Sequence, residues 1–286
     1  MILSKKFREI INAEISKRKD NAIMFSGGID SATILAAMLD CQKKPDLYTF
    51  IVGDKDSKDS LVAKAMAREF DLKITIVKIP EDITSLINDI KQVILITKRS
   101  SKTHIQCSHP WLYLSKAAAK DGHTSALIGM SADGLYGTNR KGEITYKTEG
   151  ELAFREFRNK KHEDYFASDS SVFRVSKSFG VSLWDLYAQY TIGDFMLKLS
   201  YEEMHKPKQK SLSVDAFPEF WSRGNWYRTN QPLQIVSGLR ELHDKIVDTE
   251  FNKRKSKTVV GVYNDIAAEL KVDTKITEWH RWEGER

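Results

Sequence analysis

Between a short apolar run at residues 22–25 and a helical pattern at residues 32–39 lies Ser26-Gly27-Gly28-Ile29-Asp30-Ser31. This order predicts a strand, a tight turn and a helix. Two adjacent glycines let the backbone turn sharply and come close to a ligand. The helix that follows offers unpaired amides and a positive partial charge, a natural seat for an anion. Asp30 is out of place beside an anion unless a divalent cation shares the site. Hydroxyls, bare amides and a carboxylate together predict phosphate plus Mg²⁺.

The remaining sequence supplies a frame for such a loop. Residues 7–19 read as a helix and residues 30–43 as the helix after the loop. The β-branched and aromatic run at 47–52 reads as a second strand, 73–77 as a third and 125–129 as a fourth. Helical patterns at 58–70, 81–96 and 110–120 separate them. Strands alternating with helices imply an α/β fold with a Rossmann-like parallel sheet, whose ligands bind at the strand carboxyl ends. Beyond about residue 145 strand signals fade. Residues 149–167, 181–204, 214–222 and 232–250 read as helices, with a basic break from Lys206 to Lys210. The expected organisation is a nucleotide-binding α/β core at 1–145 and a mainly helical region at 146–286 that completes the site. The polar tail at 278–286 is expected to fray.

Composition narrows the class. No apolar run nears the roughly 20 residues that span a bilayer, and the first residues lack the apolar stretch of a secretory signal. Only Cys41 and Cys107 are present, with no C-x-x-C. This points to a reducing, cytoplasmic setting and away from a Cys-ligated zinc site. The net charge of +6 is compatible with a polyanionic partner but also with nucleotide chemistry alone.

The run S-G-G-I-D-S resembles the pyrophosphate loop of the N-type ATP pyrophosphatases, which cleave ATP between the α and β phosphates and adenylate a substrate. Three further segments sharpen the likeness. They are Phe50-Ile51-Val52-Gly53 with Asp59 beyond it, Ser108-His109-Pro110-Trp111, and Gly129-Met130-Ser131-Ala132-Asp133-Gly134-Leu135-Tyr136-Gly137. In order and spacing they resemble the synthetase domain of asparagine synthetase and the related beta-lactam synthetase, over roughly residues 20–220.

That resemblance implies roles. Ser26, Gly27, Gly28, Asp30 and Ser31 would cradle the pyrophosphate, and Asp30 and Asp133 would hold Mg²⁺. The backbones of Phe25, Val52 and Gly129 would border the adenosine of ATP. The family's catalytic lysine pattern, K-x-x-L-R-x-A-F, falls on Lys210 through Ala216 and Phe217 without its L-R pair; Lys208 is the other candidate. The family's strand-four signature, S-G-E-G-x-D-E-L-F-G-G, keeps its Gly, Asp and Gly at 129, 133 and 137. Its two glutamates are replaced by Met130 and Gly134. No N-terminal nucleophilic Cys follows Met1, and a glutaminase domain is not expected. Small-molecule carboxylate and amine substrates are implied, with ammonia arriving free or from a separate subunit. Two other readings stay open: a nucleic-acid-modifying enzyme using the same chemistry, and a nucleotide-binding module without chemistry.

Smaller constellations have bland alternatives. His104, Cys107 and His109 match no common zinc spacing and read better as a loop near a substrate pocket. Trp111 suits a pocket wall or the core equally. Arg223, Trp226, Tyr227 and Arg228 interleave basic and aromatic groups as nucleic-acid platforms do. A cluster closing the active site is the simpler reading. The basic run Lys253, Arg254, Lys255 and Lys257 reads as a solvated face.

Overall fold

Five strands form one parallel sheet in the computed structural model, which describes residues 2–167, 170–229, 233–254 and 256–274. They are β1 (Ala22–Met24), β2 (Asp46–Val52), β3 (Ile74–Ile79), β4 (Ser125–Ile128) and β5 (Ser182–Asp185), in the spatial order β3-β2-β1-β4-β5. β2 and β3 run in register from Leu47 opposite Ile74 to Val52 opposite Ile79. The chain adds strands to one side of β1, then crosses to begin the other side with β4. Strand order therefore reverses between β1 and β4. In open parallel sheets a crevice opens there, outside the strand carboxyl ends.

Helices cover both faces. In chain order they are α1 (Ile2–Ser16), α2 (Ile29–Asp40), α3 (Lys58–Glu69), α4 (Ile83–Thr97) and α5 (Lys102–Lys120). Then come α6 (Ala132–Tyr136), α7 (Arg140–Ala167, broken at Gly150), α8 (Ser171–Ser178), α9 (Tyr190–Leu197) and α10 (Tyr201–His205). Last are α11 (Ser211–Ala216), α12 (Pro218–Trp221), α13 (Leu233–Val236), α14 (Leu239–Arg254) and α15 (Val259–Glu269). The two-residue strand period sorts side chains between two cores. Ile23, Leu47 and Leu127 join α1, α2 and α3 on one face. Met24, Tyr48, Phe50 and Ile128 join α4, α5, α14 and α15 on the other. Burial on both faces explains why β2 reads as a near-continuous apolar run.

Two segments differ from the sequence reading. Residues 181–204 hold β5 and two short helices rather than one helix. β5 is four residues long and half exposed, without the apolar run that marks β1 and β4, and its identity comes from its pairing with β4. The segment read as a loop before residue 110 belongs to α5, which starts at Lys102 and carries Pro110 inside it. His104 and His109 therefore sit on one helix and meet different partners. His104 contacts Arg99 and Ser101, whereas His109 contacts Asp89 and His243. Among the described residues no cluster of three or more metal-ligating side chains occurs. Arg254 is not a solvated residue but an ion-pair link to Glu250 and, on α15, Glu269. Lys255 and the tail from residue 275 lie outside the described residues. Among the described residues no helix is long and apolar enough to cross a membrane.

One buried cation fixes the helical region against the sheet. Arg158, on α7, is fully buried. Its guanidinium donates from Nε to the Leu135 carbonyl, from Nη1 to Leu199 O at 2.9 Å and from Nη2 to Met196 O at 2.5 Å. These carbonyls lie at or near the carboxyl ends of α6 and α9, where partial negative charge collects. Burial lowers the Arg158 pKa to about 10, so it stays charged near neutral pH. A single guanidinium thus clamps the short helix that carries Asp133. Arg158→Met leaves three carbonyls without this donor and is expected to cost about 3 kcal/mol or more, at ~1–3 kcal/mol per orphaned buried group. Urea unfolding of the two proteins checks it; a loss well under ~1 kcal/mol, the net worth of one ordinary hydrogen bond, would refute the clamp.

Candidate active site

The phosphate-type loop begins where β1 ends. Phe25 N donates to Tyr48 O at 2.7 Å, which fixes the exit from the sheet, and its side chain is buried in the core. Gly27 adopts a left-handed φ of 73°. A Cβ there would also lie 2.9 Å from both Asp59 O and Ala63 N, at the start of α3. Gly28, the N-cap of α2, has an ordinary φ of −75°. Ser26 Oγ accepts from Gly28 N at 3.2 Å and sits 3.1 Å from Ser31 Oγ, which donates to Gly28 O at 3.1 Å. The two serines thus tie the loop to the first turn of α2, whose leading amides have no intrahelical partner.

Lys210 closes the far side. It lies in the left-handed region (φ 58°) at the N-cap of α11, and its side chain is buried. Its ammonium donates to Asp30 Oδ1 and Oδ2 at 2.8 and 2.7 Å and to Asp133 Oδ1 at 2.6 Å. Three segments far apart in sequence therefore meet at one nitrogen. Burial works against the Lys210 charge, but the two carboxylates outweigh it and its pKa is raised. Burial pushes Asp30 up to about 6; Lys210 pulls it down and Asp133 pushes it up again. Two carboxylates facing one ammonium leave the cluster one net negative charge.

A supporting layer orients this cluster. Lys210 N donates to His205 Nδ1 at 3.0 Å, and His205 Nε2 donates to Tyr136 O at 2.8 Å. Both contacts require a neutral ring with its proton on Nε2. Burial holds the His205 pKa down to about 4. Asp185, at the end of β5, accepts from Ser131 N at 2.8 Å, Tyr165 OH at 2.6 Å and Tyr187 N at 3.1 Å. It pins the turn between β4 and Asp133, and burial raises it to about 6. Neither His205 nor Asp185 is visible as a site residue in the sequence. Asp185 lies on a strand read as helix, and His205 acts only through backbone groups.

A cavity of about 620 Å³ opens at this point, outside the ends of β1 and β4. Ser26, Gly27, Gly28, Asp30, Ser31, Gly129, Asp133 and Lys210 all line it, as do Met130 and Trp111. Phe25 and Val52 are buried beside it and are not among its lining side chains. Lys208 points elsewhere, with its ammonium 3.9 Å from the centre of the Tyr227 ring. Within the aromatic and basic run, Arg223 is exposed beside Glu69, whereas Trp226 and Arg228 face inward. Trp226 packs on Phe70 and Phe220 and lines the cavity. Arg228 pairs with Asp59 at 2.9 Å and donates to Gly27 O at 3.4 Å. Cys41 and Cys107 are free thiols, and burial raises Cys107 to about 11, so it is a cavity wall rather than a nucleophile.

Two predictions follow from this geometry. Gly27→Ala, strained by φ and blocked by backbone, is expected to lose about 2 kcal/mol or more of stability, at ~1–3 kcal/mol for a forced backbone alone. Gly28→Ala, with only Ser26 Oγ near at 3.3 Å, should stay within about 1 kcal/mol of the parent, in the range of ordinary surface changes. Equal losses in urea unfolding would contradict the distinction. For His205, a depressed pKa means that its stabilisation is complete above about 6.5, the free-histidine value. It is lost as pH falls toward about 4. The stability gap between the parent and His205→Asn should therefore narrow across that window, by up to about 3 kcal/mol at ~1.4 kcal/mol per pKa unit. A gap independent of pH would rule out the neutral buried ring.

Residues 3–219, well over half of the chain, match the asparagine synthase family. No curated protein matches the chain at a significant level. The match spans the loop after β1, the turn after β4 and Lys210, and it ends before the segment holding Trp226 and Arg228. The chain belongs to the asparagine synthase family, whose members are ATP-using adenylating ligases.

Proposed function

We propose that this chain joins ATP to a carboxylic acid, giving an acyl-adenylate and pyrophosphate, and then passes the acyl group to nitrogen. The observation that carries the reading is Lys210 Nζ, held within 2.8 Å of Asp30 and Asp133 beside the serine and glycine loop. In the first step a carboxylate oxygen attacks the α phosphorus, and the bond to the bridging oxygen breaks with its electron pair leaving on pyrophosphate. In the second, an amine or ammonia attacks the acyl carbon, AMP leaves and the nitrogen releases a proton. Ammonia could come free or from a separate subunit.

The donor chemistry suits Mg²⁺. Two hard carboxylate oxygen groups plus nucleotide phosphates form the kind of shell it takes, and the cluster's net negative charge favours a cation. Asp30 and Asp133 would hold it, and it would neutralise charge building on the leaving pyrophosphate. The chain's own groups supply the remainder. Ser26, Ser31 and the leading amides of α2 bind phosphate oxygens and orient them. Lys210, already desolvated, stabilises developing phosphate charge without reorganising. Trp111 and Trp226 line the cavity and give it apolar wall surface.

ATP-dependent pyrophosphate release with a panel of acids and amines tests the reading. Asp30→Asn and Asp133→Asn should each abolish Mg²⁺-dependent release with the fold intact by circular dichroism. Lys210→Ala should slow product formation ~10²-fold or more, the order seen when one preorganised charge-stabilising group is lost. Lys208→Ala should be near normal. Normal turnover in Lys210→Ala beside a dead Lys208→Ala would reverse the two lysines, and normal turnover in both would remove lysine from the chemistry.

A further inference from the structure

A second cavity of about 640 Å³ adjoins the first and shares Cys107, Met130 and Val172 with it. Its walls combine two chemistries. Apolar surface comes from Met130, Ile144, Phe157 and Val172. Met130 and Ile144 are large hydrophobic side chains left 37% and 48% exposed at this place. Around them stand Arg99, Arg140, Lys141 and Lys161, and no Asp or Glu occurs among the described lining residues. His104, whose pKa burial lowers to about 4, adds no charge near neutral pH.

We infer that this cavity receives the acid to be activated, and that this acid has a bulky apolar or aromatic body and a second anionic group remote from the reacting carboxylate. The inference rests on the adenylation reading above. Exposed apolar side chains gathered in a concave site are a binding signature rather than a surface default. A one-sided cationic lining favours an anion and disfavours a neutral or cationic tail. Volume decides against a small acid. A cavity of about 640 Å³ lies within the size range of pockets that enclose drug-sized molecules. Met130 sits at the junction, on the turn that leads from β4 to Asp133. An apolar body passing it would reach the nucleotide cavity without stranding a polar group. A carboxylate at one end of such a body reaches toward Lys210, and an anion at the other end meets Arg140 and Lys141.

The first test uses anilinonaphthalene sulfonate, an aromatic anion, as the probe, with no catalysis required. Its fluorescence should report one saturable site. Lys141→Glu and Ile144→Glu should each weaken that site by about tenfold, the worth of one charge-assisted contact or its apolar counterpart. Calorimetry with ATP on the same variants reports whether the nucleotide cavity is intact. No saturable site, or a site indifferent to both variants, overturns the proposal. The second test follows exchange of labelled pyrophosphate into ATP with aspartate, phenylpropanoate and the para-phosphorylated phenylpropanoate. The phosphorylated acid should be the best of the three, with a KM raised about tenfold by Lys141→Glu on the same reckoning. Exchange with aspartate alone, or no preference for the second anion, overturns it. Saturable probe binding lost in the variants, with no acid supporting exchange, supports the chemistry of the cavity and counts against the adenylation reading instead.

Discussion

The ammonium of Lys210 between Asp30 and Asp133 is the contact on which the remaining site geometry depends. A buried cation such as Lys210 is tolerated only where opposite charges stand beside it, and Asp30 and the more exposed Asp133 supply them. Each of the three residues therefore makes the others possible. Asp30 sits on the first turn of α2, Asp133 on α6 and Lys210 at the head of α11. Their meeting locks the loop after β1, the turn after β4 and the helical region into one arrangement. Removing Lys210 would leave two carboxylates facing each other without their cation, whereas removing either carboxylate would leave a balanced pair.

The surroundings read as a graded support for that contact. His205 holds the Lys210 backbone in a left-handed conformation that a lysine does not choose by itself. Asp185 holds the turn before Asp133 from the neighbouring strand, and Arg158 holds α6 from behind through its carbonyl groups. Both Asp30 and Asp185 have carboxyl groups raised to about 6, chiefly by burial. Raised carboxyl pKa values mark groups whose charged form burial disfavours.

The segment beyond residue 219 adds something the family match does not cover. Trp226 and Arg228 wall the cavity beside the loop after β1, and Arg228 bridges Asp59 and the backbone of Gly27. That ties the loop after β1 to the start of α3 from outside. In sequence, the same residues form an aromatic and basic stretch of the kind that stacks on nucleic acid, though a cluster closing the active site is the simpler reading. Trp226 is buried against Phe70 and Phe220 and borders the cavity.

By itself the sequence determined the parallel α/β frame and the strand-loop-helix at Ser26 to Ser31, and both rest on local rules. In sequence, Gly129, Asp133 and Lys210 are joined to that loop only by the family resemblance. Periodicity marks strands buried on both faces, and adjacent glycines mark a backbone that must turn. Tertiary structure alone decided the others. β5 lacks the apolar run of β1 and β4 and becomes a strand because β4 offers it an edge. α5 runs through Pro110, which a local reading takes as a boundary, because packing against β2, β3 and α8 outweighs one missing hydrogen bond. Asp185, His205 and Arg158 act through backbone groups of residues distant in sequence, and such partners leave no local pattern. The second cavity exists only because α5, α7, α8 and the turn after β4 converge. Convergence is a property of the packed chain, since the free energy that fixes it comes from burial shared among segments no local spacing connects.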